Sequence, residues 1–60
     1  MWNFLFVVES GEDEGYEFLV QCDTKEEAEQ IAQEEFEGEY LKYCGRYTDY
    51  QAEMMGLDTF

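Results

Sequence analysis

The chain lacks histidine and proline, has one serine (Ser10), and carries only three lysine or arginine residues. Each shortage removes a class of chemistry. Without histidine, the side chain that most often serves as a general base near neutral pH is missing. Ser10 lies in a glycine-flanked stretch with no base beside it, and a nucleophile needs both an adjacent base and an orienting third group. Only carboxylates remain for acid–base work. A domain of 60 residues has little room for a cleft that would keep one of them protonated. The expectation is a protein that is not an enzyme and uses no cofactor.

The two cysteines, Cys22 and Cys44, have no second cysteine or histidine at ligand spacing, which excludes a structural zinc site. Nothing in the chain points to an oxidising compartment. The plain expectation is two small buried apolar side chains. The segment Ser10–Gly15 (SGEDEG) invites comparison with a calcium loop. With Gly15 at the glycine position, Ser10 falls at the first ligand position and Gln21 at the twelfth, where a bidentate glutamate is required. The match fails, and no metal is expected. The longest apolar run, Phe4–Val8, is too short to span a bilayer. There is no basic, apolar leader at the N-terminus, so the expected location is the cytoplasm.

What is abundant is acid and aromatic side chain. Sixteen aspartates and glutamates give a formal net charge of −13. Hydrophobic residues make up 45% and aromatics 18%. Disordered acidic tails are poor in aromatics, so the chain reads as one folded domain over residues 1–60.

The order of elements follows from periodicity. Trp2–Glu9 alternates as a strand with apolar residues on both faces: Trp2, Phe4, Phe6 and Val8 on one, Leu5 and Val7 on the other. Ser10–Gly15 is a turn, and Tyr16–Asp23 a second strand with Tyr16, Phe18, Val20 and Cys22 inward. Thr24 and Glu27 have capping-box spacing and open a helix whose stripe is Ala28, Ile31, Ala32 and Phe36, with Gly38 after its end. Glu35 conflicts with that stripe. Glu39–Tyr47 reads as a third strand weakened by Gly45. Thr48 and Gln51 repeat the capping spacing before a short helix from Asp49 to Met55, stopped by Gly56. The predicted fold is α+β: a small three-stranded, antiparallel or mixed sheet, β-β-α-β in order 2-1-3. One helix packs on one face, and a short C-terminal helix or strap follows. Met54, Met55, Leu57 and Phe60, or a second copy of the chain, would cover the other face.

The carboxylates fall into three patches. Glu12, Asp13 and Glu14 occupy the hairpin tip with Glu9 and Glu17. Glu26, Glu27, Glu29, Glu34 and Glu37 line the outward side of the helix with Gln30 and Gln33. Asp49, Glu53 and Asp58 are C-terminal. Helix neighbours three or four residues apart lie about 5–6 Å apart at Cβ. That is the order of spacing of successive phosphates on a nucleic-acid strand. A groove that arranges Lys and Arg for phosphates offers the same charge-assisted hydrogen bonds to carboxylates. Ordinary solvated helices intersperse both signs, because Glu–Lys pairs stabilise them; here only Lys25 serves that role. A partner with a basic, nucleic-acid-binding surface is expected, with no direct contact to nucleic acid or membrane, and a monomeric or homodimeric chain.

In size, charge and single-domain character the chain resembles small acidic phage-encoded anti-CRISPR proteins that act as DNA mimics, and more distantly anti-restriction proteins. The resemblance lies in composition and architecture, and no signature motif carries residue roles across. It implies a non-enzymatic inhibitor in the host bacterial cytoplasm that blocks PAM or target DNA binding by a CRISPR effector, and the chain's small size points to a Cascade-type target. The alternatives are an acidic interaction or anti-restriction module for another basic partner, or a small homodimeric regulatory protein.

Overall fold

A computed structural model describes the whole chain, Met1–Phe60. Its elements are β1 (Trp2–Ser10), β2 (Glu17–Cys22), α1 (Lys25–Glu35), β3 (Tyr40–Tyr47), α2 (Asp49–Met55) and β4 (Asp58–Thr59). They build an α+β fold around one mixed sheet in the order β3-β1-β2-β4.

The expected 2-1-3 arrangement is present, and the sheet is larger than expected by one strand. β1 pairs antiparallel with both neighbours, Phe6 facing Phe18 on one side and Tyr43 on the other. Its two apolar faces require that central place. The C-terminal residues, expected as a strap, instead add β4 parallel to β2, with Phe18 beside Asp58 and Leu19 beside Thr59. Phe60 continues the ladder: its N–H donates to the Leu19 carbonyl at 2.8 Å and its carbonyl accepts from the Gln21 N–H at 3.0 Å. A two-residue strand carries too little local signal to be read from sequence.

The main core lies between the sheet and α1. Phe4, Phe6, Val8, Phe18, Val20 and Cys22 meet Ala28 and Ala32, with Trp2, Tyr16, Ile31, Phe36, Leu41 and Tyr43 at its margin. Alternation along each strand places these residues on one face. The small Ala28 and Ala32 side chains let the helix approach the aromatic sheet closely. Phe60 was expected over the opposite face. It belongs to this one, edge-on to Phe18 at 5.5 Å and to Phe36 at 5.9 Å.

The opposite face carries Asn3, Leu5, Val7, Leu19 and Gln21, and α2 of the same chain packs there against β1 and β3. Leu19 is fully buried. Met55 and Leu57 are half-buried, while Met54 is 73% exposed and covers nothing. Asn3 is the one buried polar residue, and its Nδ2 donates to Asp49 Oδ1 at 2.8 Å. Leaving that amide unpaired would cost about 1–3 kcal/mol, so Asn3 fixes where α2 starts.

The local signals behave as their chemistry dictates. Thr24 Oγ1 accepts from the Glu27 N–H at 3.2 Å but the Glu27 carboxylate does not reach back, so only Thr48 and Gln51 form a reciprocal capping box. α1 stops at Glu35, earlier than Gly38 implied, with Phe36 as its C-cap and Glu35 exposed in its last turn. Gly45 does more than weaken β3. The β1–β3 register slips there, so that Leu5 faces Gly45 while Phe6 faces Tyr43, and Gly45 has φ +129°. This bulge needs a residue that tolerates a positive φ. Cys44 sits at the same slip and is exposed; only Cys22 is buried, so the expectation of two buried cysteines holds for one of them. No helix is long and apolar enough to cross a membrane.

Candidate functional site

The acids are displayed almost without exception. All sixteen except Glu39 are exposed, and Glu39 is half-buried. Sheet geometry decides which of them share a surface. α1 begins where β2 ends and runs back toward the hairpin tip, because β3 must start beside Ser10, which faces Tyr40. The C-terminal end of α1 and the β1–β2 turn therefore meet.

Glu39 makes the joint. Its Oε1 accepts from the Asp13 N–H at 2.8 Å. Its side chain lies against Gly11, where a Cβ would come within 2.6 Å of Glu39 Cγ. Gly11, at φ +132°, has neither the room nor the conformation for a side chain. The turn is braced further by Tyr16 N–H donating to the Asp13 carbonyl at 2.9 Å and Val8 N–H donating to the Tyr16 carbonyl at 2.9 Å. Glu12, Asp13 and Glu14 thus project from a tethered loop beside the end of α1.

Along α1, Glu26, Glu27, Glu29 and Glu34 are exposed, as is Glu37 in the turn beyond it. Gln30, Gln33, Glu34, Glu37 and Gly38 line a shallow cavity of about 330 Å³ at the end nearest the tip. Gln33 is not free to serve a partner. Its Nε2 donates to the carbonyls of Phe36 and Glu39, each at 3.1 Å, and so ties the end of α1 to the start of β3.

The third patch is split: Asp58 reaches Tyr16 on the α1 side of the sheet, whereas Asp49 and Glu53 stand apart. Asp49 and Glu53 lie on α2, on the opposite side of the sheet. Asp49 accepts from Asn3 and also from Gln21 Nε2 at 3.1 Å, and these two hydrogen bonds hold its carboxyl below the usual range, the Asn3 bond having the larger effect. With Glu53 it borders a second shallow cavity of about 420 Å³ floored by Asn3 and Gln21. Asp58 accepts from the Tyr16 hydroxyl, which raises the Tyr16 pKa above its ordinary value. Of the residues singled out from sequence, the structure brings together Glu12, Asp13, Glu14, Glu34 and Glu37, with Glu26, Glu27 and Glu29 continuing along the helix. Asp49 and Glu53 do not join them.

Sequence reasoning missed Glu39. It sits at the mouth of a strand, and its partners Gly11 and Asp13 are far away along the chain. Only the Ser10–Tyr40 pairing brings them together. No three His, Cys, Asp or Glu side chains gather where they could hold a metal ion. No protein-family model matches the chain, and neither a curated protein nor a solved structure gives a significant match.

Proposed function

We propose that the chain is a non-enzymatic inhibitor that presents α1 and the hairpin tip in place of nucleic acid and occupies a basic groove made to receive DNA. The supporting observation is that the acids of α1 and of the hairpin tip are exposed on two segments that the Glu39–Asp13 hydrogen bond ties together. On the first they run from Glu26 to Glu37, and on the second they are Glu12, Asp13 and Glu14. α1 has 11 residues and spans about 16 Å, an axial length of about five base pairs of duplex DNA. Arginine in such a groove can take a carboxylate by the same bidentate hydrogen bonds it offers a phosphate. Complementary fields speed the encounter. Binding also relieves the mutual repulsion of the free chain, because the partner's bases neutralise it.

The target class follows from the resemblance, a CRISPR effector with PAM or target-DNA binding as the blocked step, and the chain's small size favours one of Cascade type. The host cytoplasm would be the setting. Asp49 and Glu53 lie outside the proposed contact.

The test is capture of the effector on immobilised protein, challenged with excess double-stranded DNA and with raised salt. Displacement by both is expected. Charge reversal at Glu26, Glu34 and Glu37 is expected to abolish capture, whereas reversal at Glu53 leaves it intact. Capture that survives excess DNA would refute mimicry and leave an acidic module with a different recognition code.

A further inference from the structure

The open edge strand, β3, carries no acid. Its eight residues, YLKYCGRY, contain Lys42 and Arg46. The third base joins them, because Lys25 Nζ lies 4.5 Å from the centre of the Tyr43 ring. Arg46 stacks over Trp2 at 4.3 Å. The three Lys and Arg side chains of a chain at −13 therefore lie on β3 or against it. β3 ends the sheet, so the hydrogen-bonding groups on its outer side have no partner strand.

We infer that the β3 edge is a second interaction surface, which takes an extended acidic segment of another protein as an added strand. Two features choose this occupant. The first is charge. A second copy laid antiparallel along β3 would set Lys42 against Arg46 and bring another −13 toward the first. Basic residues at an edge oppose self-pairing in this way. They favour a strand that carries carboxylates.

The second feature is the bulge. In a regular strand, residues 42 and 46 would project from one face. The slip at Cys44 and Gly45 changes that. Lys42 is level with Val7 and Arg46 with Phe4, three residues apart on β1 and on opposite faces of the sheet. A regular strand on the outer side meets the same spacing. Its acids must therefore stand an odd number of residues apart, three in the simplest case, to reach both bases. Backbone pairing would supply the affinity and the two carboxylates the selectivity. This surface is independent of the acidic face and does not require the proposed function to hold.

The experiment is an NMR titration of the full chain with a capped eight-residue peptide alternating Thr and Val, with Glu at two positions three apart. A control peptide carries Gln at both. Amide shifts confined to Tyr40–Tyr47 are expected. Two exposed ion pairs should make the Glu peptide bind more tightly by roughly fivefold at low salt. Lys42→Gln with Arg46→Gln should erase that preference. Lys42→Gln alone, which leaves the Arg46–Trp2 stack in place, should halve it or more. Equal affinity for both peptides, no shift in β3 at millimolar peptide, or shifts on α1 instead would overturn the proposal. So would concentration-dependent changes at β3 without peptide, which would assign the edge to a second copy.

Discussion

The stability of this chain should rise steeply with salt, and the size of the effect follows from its charge and dimensions. The formal charge is −13 and the Cα radius of gyration 10.6 Å. A uniform sphere of that size has a radius of about 14 Å, and its self-repulsion in water is about 17 kcal/mol at about 10 mM salt and about 9 kcal/mol at about 150 mM, where the Debye length has shrunk from about 30 Å to about 8 Å. The unfolded coil, with a radius of gyration of about 23 Å, carries about 6 and about 2 kcal/mol under the same conditions. Repulsion therefore opposes folding by about 11 kcal/mol in low salt and by about 7 kcal/mol at physiological salt, a gain of about 4 kcal/mol. That rivals the whole stability of about 3–9 kcal/mol usual for a domain of this length. It corresponds to a rise in Tm of about 15 °C or more.

Urea unfolding followed by the fluorescence of Trp2, the only tryptophan, measures the change at the two salt concentrations. Sodium chloride rather than sulfate should be used, because sulfate also strengthens apolar burial. Repulsion scales with the square of the charge. Replacing Glu26, Glu34 and Glu37 by Gln takes the net charge from −13 to −13 + 3 = −10, and should cut the salt gain to about 60% of its value. A gain below about 0.5 kcal/mol would refute the reasoning. The acids would then not interact at a distance, and release of their repulsion could not favour binding.

Three further outcomes are expected. Phe60→Ala removes a ring that is 41% exposed and edge-on to Phe18 and Phe36; the lost area and aromatic contacts should cost about 2 kcal/mol in urea unfolding, and an effect under about 0.5 kcal/mol would mean β4 does not hold the C-terminus. Gly11→Ala meets both a φ of +132° and Glu39 Cγ at 2.6 Å, so it should destabilise by about 1–3 kcal/mol and speed amide exchange at Asp13; unchanged exchange would separate the tip from α1. The Asn3 and Gln21 hydrogen bonds hold the Asp49 carboxyl below its ordinary range. Its contribution to stability is therefore present above the ordinary carboxylate range and is lost as the pH falls through the depressed folded-state one. Asp49→Asn should lower stability near neutral pH and flatten the acid limb of the profile, and a limb of unchanged slope would show that the Asn3 and Gln21 bonds do not hold the carboxylate.

How much was legible beforehand varies by element. Strands of period two and helices with Thr caps carry their own signals, so β1, β2, α1, β3 and α2 appear within a residue or two of their expected bounds. The centrality of β1 was written in the apolar pair Leu5 and Val7. The acidic tip and helix face were visible as composition. Gly45 was legible as an irregularity, but not as the bulge that sends Lys42 and Arg46 to opposite faces, because that depends on register with β1. Cys44 looked like Cys22, but it is the unpaired residue at the β1–β3 register slip on an edge strand, and it is exposed.

The sequence by itself determined that a −13 chain with an aromatic core folds with its acids outward, since ionised carboxylates are too costly to bury unpaired. It determined the order of the elements, because turn glycines, caps and periodicity act over a few residues. Tertiary structure decided what lies next to what. Sheet pairing put Glu39 against Gly11, Asp49 beneath Asn3 on the far layer, and Phe60 in the core beside Phe18. These contacts join residues tens of positions apart, and no local pattern encodes them. Which acids form one surface, and which edge is left free of them, was settled only when the sheet closed.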